Sequence, residues 1–308
     1  MIISFLVVSH KRRNETIGAL DSICRTIINT DYRDFKGEII VLINGGDFDY
    51  FNFIRSYMQS IEESGIALAK CYYSKLNLGA AGGRNYVYKH SQGDVLVFID
   101  DDAEIINESD LIKDILEEKK QNKKLGIIAF RSVNKDWSIR YEEIPVRPSK
   151  ALTKKKVAKF IAVGFVLFRD SVYSDNFLFP ENLFIYMEEY YLSMRLISRG
   201  NVLIYNPNLV LEHKKSHQGR LNTRDYYIKM ASNKIYIYRL ANLRLLFYCN
   251  LLLWSLWSIY RSKELLILLD MWKRLRDLIK STEQKYYFQM DKEAMRYIKK
   301  YGVCWYLK

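Results

Sequence analysis

The stretch Val95-Leu96-Val97-Phe98-Ile99-Asp100-Asp101-Asp102 changes character within one residue, from an unbroken apolar run to three carboxylates. A run this short, rich in β-branched and aromatic residues, predicts a buried strand from Asp94 to Ile99 rather than a helix. The acids then project from its carboxyl end. Carboxylates about 5 Å apart repel by roughly 3 kcal/mol per pair at an effective dielectric near 20, so three together call for a cation or a protonation shift. A hard divalent ion, held by one or two carboxylates and completed by phosphate and water, answers that need. A solvated acidic turn is the plainer alternative.

Outward from this strand the chain alternates. Ile2 to Ser9 reads as a strand, and Glu15 to Thr30 as a helix with Ile17, Leu20, Ile23, Cys24 and Ile27 on one face. Glu38 to Ile43 is a second strand, Phe51 to Ser64 a helix, and Ala67 to Tyr73 a third strand. The glycine-rich Asn77 to Asn85 and a short helix lead back to the aspartates. Such alternation predicts an α/β fold with a mostly parallel, doubly wound sheet covered by helices on both faces. Ligands of such sheets bind outside the carboxyl ends of strands, which gathers Ser9, Asn44, the glycine stretch and the aspartates on one rim.

The glycine stretch has two physical uses. Its amides could approach a phosphate at a helix N-terminus with Arg84 as a bidentate donor, or it could simply turn a strand into a helix. It is neither a P-loop nor GxGxxG. Farther on, Glu108 to Asn122 and Met187 to Ser198 read as helices. Leu125 to Val133, Ile161 to Arg169, Asn201 to Tyr205 and Leu209 to Glu212 read as strands. Asn134 to Lys159, with Pro145, Pro148 and a triple lysine, lacks periodicity and is expected as a mobile loop near an acceptor or as a solvated linker.

The net charge of +13 lies wholly in the last third: from Lys214 onward 20 basic residues face 7 acidic ones. Cys24, Cys71, Cys249 and Cys304 show no close pairing, and no cationic leader precedes the first strand, so a reducing cytoplasm is the expected compartment. Leu245 to Tyr260 are sixteen uncharged residues that rise only about 24 Å, short of the roughly 30 Å of a bilayer core. A second apolar face follows at Leu265, Leu268, Met271, Trp272, Leu275, Leu278 and Ile279, beside Lys273, Arg274, Arg276 and Lys280. This pattern predicts helices lying on an anionic membrane surface, peripheral to the inner face of the cell membrane; packing on its own domain or in a homodimer is the alternative. No nucleic-acid-binding module is recognisable, so that class is set aside.

Val7 to Arg12, Asn77 to Asn85, Phe98 to Asp102, Met187-Glu188-Glu189 and Leu211-Glu212-His213 occur in that order. On these motifs the chain resembles the family-2 glycosyltransferases over roughly residues 1–240, with residues 241–308 as a basic, apolar helical tail. The resemblance implies the GT-A form of the Rossmann-like sheet, and within the family the bacterial surface-polysaccharide branch that includes rhamnosyl- and galactosyltransferases. It implies Mn²⁺ or Mg²⁺ as cofactor, a UDP- or dTDP-sugar as donor, and a glycan or lipid-linked acceptor. Asp102 becomes the principal metal ligand, with His213 and Asp100 as further ligands, Asp100 also a contact to ribose or metal-bound water, and Asp101 sharing either task. Ser9, Arg12 and Asn44 line the nucleoside pocket, and Asn77, Gly79 and Arg84 lie near the diphosphate. Glu189 is the base for the acceptor hydroxyl, with Glu188 as neighbour or stand-in. His217 and Arg220 fold over the phosphates. Two departures stand out: Ile43 where the family often has Asp, and Glu189 where it usually has Asp. A sugar-nucleotide nucleotidyltransferase is the competing enzyme, although His10 to Asn14 does not match the glycine-rich loop of that class; a non-catalytic membrane-bound scaffold is the competing non-enzyme.

Overall fold

Period-two alternation in four apolar strands builds the parallel half of the sheet. In the computed structural model, which describes residues 1–32, 34–108, 110–215 and 222–302, β1 (Ile2–Ser9) lies between β2 (Lys36–Asn44) and β4 (Val95–Asp100), with β3 (Leu68–Ser74) outside β2. All three ladders are parallel. Phe5, Val7, Val41 and Val97 point to one core with Leu20, Ile54 and Met58 of α1 (Arg13–Asn29) and α2 (Phe48–Glu63). Leu6, Leu42, Leu96 and Phe98 point to the other, where α3 (Gly79–His90) contributes Val87 and Tyr88. Both faces are therefore buried, as their continuous apolar sequences require.

Beyond β4 the sheet becomes mixed. β8 (Gly164–Phe168) runs antiparallel between β4 and β6 (Leu125–Val133), and β9 (Val202–His213) runs parallel to β6. β5 (Ala103–Ile105) and β7 (Lys155–Val157) add antiparallel to β9. The two short strands expected around Pro207 form one strand, whose pairing with β6 slips between Ala129 and Arg131, where proline has no amide to donate. α4 (Leu111–Gln121) and α5 (Glu188–Ser198) complete the first two hundred residues.

The segment from Asn134 to Lys159 differs from the expected mobile loop. It bears two short 3-10 turns and β7, and it buries Ile144, Val146, Ala151 and Val157 in the second core. Tyr205 Oη donates to the Ala151 carbonyl at 2.7 Å. Irregular spacing hid these apolar residues from any helix or strand template.

The tail folds into α6 (Thr223–Leu240), α7 (Arg244–Ser262), α8 (Ile267–Lys280) and α9 (Lys292–Tyr301). Trp254, Met271, Leu275, Leu278 and Ile298 join the same buried cluster as Leu6, Phe98 and Tyr191. The face expected to meet a membrane thus divides: Met271, Leu275 and Leu278 pack inward, while Leu265, Leu266, Leu269 and Trp272 stay exposed with Leu245, Tyr248, Leu252, Leu256 and Tyr260 of α7. No described helix is long and apolar enough to cross a membrane. Cys24, Cys71 and Cys249 are free thiols; Cys304, His217 and Arg220 lie outside the described residues.

Because tail and sheet share a core, Met271→Ala should destabilise the whole chain by about 2–5 kcal/mol, whereas Leu269→Ala on the exposed face should stay within about 0.5 kcal/mol. Urea unfolding followed by far-UV circular dichroism checks this. A sheet transition unmoved by Met271→Ala would mean that the tail folds separately.

Candidate functional site

The three aspartates follow β4 and diverge at once. Asp101 turns inward: Ser9 Oγ donates to it at 2.7 Å, the His10 amide at 3.1 Å and Arg12 Nη1 at 2.7 Å. Asp102, 2% exposed, lies 3.1 Å from Arg12 Nη1 and 3.3 Å from His213 Nε2. Asp100 faces the cleft and accepts from Arg84 Nη2 at 2.7 Å. Burial pushes the Asp100 carboxyl up to about 6 against the opposing pull of Arg84, and it raises Asp101 against Arg12. Two guanidiniums therefore offset much of the repulsion that the sequence assigned to a metal ion. Ser9, expected in the nucleoside pocket, is fully buried behind the rim, because its hydroxyl is committed to Asp101.

The glycine stretch is a turn braced from within. Asn44 Oδ1 accepts from the Leu78 amide, Asn77 Oδ1 from the Gly79 amide, both at 2.8 Å, and the Phe184 carbonyl from the Ala81 amide at 3.1 Å. Three amides that could have met a phosphate are already engaged. The glycines serve close packing instead: a Cβ on Gly79, at φ +70°, would stand 2.3 Å from the Phe184 carbonyl oxygen, and one on Gly83 2.6 Å from Val8. Asn44, Asn77 and Gly79 still border the cleft, as does His10, whose Nδ1 lies 2.7 Å from the Asn44 carbonyl oxygen.

Opposite this rim the backbone is strained. Phe184 centres a γ-turn at φ 64°, ψ −62°, closed by the Ile185 amide on the Leu183 carbonyl at 2.8 Å, a conformation rare in proteins. Tyr186 and Met187 also have positive φ, 73° and 70°. Asn233 of α6 holds the loop, its amide nitrogen donating to the carbonyls of Leu183, Ile185 and Tyr186 at 3.1, 2.9 and 2.9 Å. Arg274 of α8 donates to Leu183 and to Asn233, each at 3.1 Å. The loop delivers Glu188 and Glu189 to the first turn of α5.

These two acids occupy different environments. Arg84 Nη1 donates to Glu188 at 2.7 Å, so one buried guanidinium bridges Asp100 and Glu188. Arg84, expected near a diphosphate, is thereby an internal counter-ion. Glu188 Oε2 is buried with no hydrogen-bond partner among the described residues. Glu189 is half-buried in the cleft wall, and burial followed by the adjacent Glu188 charge pushes it up to about 7.

His213 ends β9 beside Asp102, and its Nδ1 lies 2.8 Å from Glu143 Oε2. Burial opposes its charge, but hydrogen bonds with Asp102 and Glu143 push it up to about 9. No group of three His, Cys, Asp or Glu side chains among the described residues is arranged to hold a metal. Asp102 and His213 do offer an oxygen and a nitrogen 3.3 Å apart, close to the roughly 3 Å between adjacent corners of an octahedron with bonds of about 2.1 Å. That donor set fits an ion whose remaining positions fall to phosphate and water. Asp100, turned to Arg84, does not join the pair.

These groups line one cleft of about 1430 Å³, walled by residues 141–146 on one side and by Tyr186, Tyr226 and Lys229 on the other. Single-ligand pockets run to about 1,000 Å³, so it has room for two substrates. Glu143, Lys159 and Asn233 were not singled out from sequence; only the Glu142-Glu143 pair within an otherwise basic segment hinted at the first.

The sequence pattern of glycosyl transferase family 2 matches residues 4–177. An uncharacterised protein of Haemophilus influenzae is 30% identical over 134 residues, covering 43% of this chain and 67% of its own. Among solved structures, mannosyltransferase PcManGT from Pyrobaculum calidifontis, in complex with GDP-Man and Mn²⁺, superposes with a TM-score of 0.59 at 14% identity, over 92% of this chain and 76% of that one. TarS residues 1–349 from S. aureus, in complex with UDP-GlcNAc, gives 0.51 at 12% identity, over 98% and 80%.

Removing Arg84 should orphan the buried carboxylate of Glu188 and the half-buried one of Asp100. Arg84→Met is expected to cost about 3–5 kcal/mol at pH 7.5. Asp100 already has a raised pKa, and loss of Arg84 raises it further; such a group favours folding at low pH and opposes it as pH rises through the folded value. The deficit should therefore shrink toward pH 5. Urea titrations at both pH values test this, and a pH-independent deficit would contradict it.

Proposed function

The chain belongs to glycosyl transferase family 2 and is a glycosyltransferase, and from that premise we propose that it moves a sugar from a UDP- or dTDP-sugar to a hydroxyl of a growing, lipid-linked bacterial surface glycan. The observation that carries this reading is the pair of acidic groups facing one cleft, Asp100 to Asp102 at the end of β4 and Glu188-Glu189 at the start of α5, joined by Arg84. The Mn²⁺ and nucleotide-sugar complexes of similar folds support the same donor chemistry.

Asp102 and His213 would hold Mn²⁺ or Mg²⁺, which when bound neutralises charge on the departing diphosphate. His10, Asn44 and Asn77 border the nucleoside end, and Asp100 reaches the ribose or a water. Glu188, held by Arg84, shapes the cleft wall beside the donor sugar. Glu189 takes the proton of the acceptor hydroxyl as that oxygen bonds to the anomeric carbon and the bond to the diphosphate oxygen breaks. One in-line displacement inverts the centre. A base must be within hydroxyl reach and have a pKa near the working pH, which the environment of Glu189 supplies.

Glu189→Gln should lower kcat by about 10²–10⁴-fold while leaving nucleotide binding near wild type. The wild-type kcat/KM should rise with pH through about 7, because only the deprotonated carboxylate accepts the proton. Sugar-transfer assays across pH decide; undiminished turnover in the variant rejects the assignment.

The acceptor side adds a membrane. α6 contributes Tyr226 and Lys229 to the cleft and packs on the α7–α8 hairpin, tied there by Arg224 to Glu264 at 3.0 Å and to Asp270 at 2.6 Å. The hairpin's exposed Leu252, Leu256, Leu269 and Trp272 are rimmed by exposed Arg244, Arg261, Lys263, Lys273 and Arg276, the composition of an interfacial surface for anionic lipid. In low salt the intact protein should float with vesicles containing anionic lipid, and the double variant Leu252→Glu with Leu256→Glu should not. A stable dimer in sedimentation without vesicle binding would instead give this face to a second copy.

A further inference from the structure

We propose that Glu143 is a positioning residue for His213: by accepting from Nδ1–H it holds the ring so that Nε2 faces the ion it would share with Asp102. This rests on the reading that Asp102 and His213 hold the ion. An imidazole at a strand end can rotate and can carry its proton on either nitrogen, and only one combination offers a free lone pair on the cleft side. In this chain Nε2 lies 3.3 Å from Asp102 Oδ1, and Nδ1 lies 2.8 Å from Glu143 Oε2. Both nitrogens face carboxylates, which only accept; with an ion between Nε2 and Asp102 the one proton left on the ring is that on Nδ1, directed at Glu143.

Glu143 is itself fixed. Ser132 Oγ on β6 donates to the same Oε2 at 2.6 Å, while Lys215 Nζ and Arg140 Nη1 lie 3.7 and 3.9 Å from Oε1. Ser132 and Leu211 are register partners in the β6–β9 ladder, so the sheet sets the spacing between the anchor of Glu143 and the strand that bears His213. The carboxylate belongs to a segment without strand or helix periodicity, 70 residues from His213. Its burial against a ring nitrogen is the arrangement by which carboxylates orient metal-binding histidines.

The test uses the full chain and Mn²⁺, titrated calorimetrically in the presence of UDP, dTDP or GDP, with Glu143→Ala, Glu143→Gln and His213→Ala beside wild type. Glu143→Ala should weaken Mn²⁺ by about 10–100-fold, and Glu143→Gln, whose amide oxygen still accepts from Nδ1–H, should recover most of the loss. Spectra of ¹⁵N-labelled histidine with diamagnetic Mg²⁺ should show the Nδ1–H tautomer of His213 in wild type and in Glu143→Gln, and a mixture in Glu143→Ala. A residue that only stabilised the end of β9 would shift thermal stability and leave the tautomer alone. Mn²⁺ affinity within twofold of wild type in Glu143→Ala, with His213→Ala weakened, overturns the role of Glu143 and leaves the metal assignment standing. Affinity unchanged in His213→Ala, or no Mn²⁺ binding by wild type, overturns both. If Glu143→Ala does not fold, the wild-type spectrum decides: the Nε2–H tautomer of His213 refutes the proposal.

Discussion

The geometry of the cleft depends on a single guanidinium. Arg84 spans Asp100 and Glu188, residues far apart in the chain, with a 2.7 Å hydrogen bond to each. Its planar fork sets the distance between the acids that end β4 and those that begin α5. Burying Arg84 and Glu188 beside the half-buried Asp100 is costly, and an apolar replacement of all three could be as stable. The arrangement is therefore better explained by position than by stability: it ties the two walls of the cleft at a fixed spacing. Gly83 serves the same end, since its lack of a side chain lets α3 lie against Val8 and carry Arg84 into place.

The second wall is held less cheaply. Phe184, Tyr186 and Met187 have positive φ without being glycine, each costing on the order of 1–3 kcal/mol. The two amide protons of Asn233, shared among three carbonyls, return about 1 kcal/mol apiece, so side-chain packing must supply the rest. Asn233 sits on α6, and the arginine that steadies it sits on α8. The tail that a sequence boundary near residue 240 would set apart is thus a support of the loop bearing Glu188 and Glu189.

Much of this was legible from sequence, for a physical reason. Strands buried on both faces are written as continuous apolar runs, and the acids that follow them are conspicuous because buried sheets seldom end in clusters of like charge. Hence β1 to β4 and the aspartate turn could be named in advance, whereas Glu188, Glu189 and His213 were named through the family resemblance. Partners set by tertiary register could not. Arg12 and Arg84 read as ligand-binding cations because nothing local shows that they neutralise Asp101, Asp100 and Glu188. Ser9 read as a pocket residue because its hydroxyl's partner lies ninety-two positions away. The glycine stretch offered a phosphate cradle only until Asn44, Asn77 and Phe184 were seen to occupy its amides. In the tail, helical spacing identified apolar faces without saying which would turn inward.

Two neighbouring glutamates show how position alone divides labour. Glu188 and Glu189 share a helix start and differ in nothing chemical, so only the family resemblance put Glu189 ahead of Glu188. In the folded chain Glu188 is paired with Arg84 at 2.7 Å. The pKa of Glu189 is governed instead by burial and by its neighbour's fixed negative charge, both of which raise it. The carboxylate that pairs with Arg84 is thus the charge that tunes the other, the general route by which environment separates like acids.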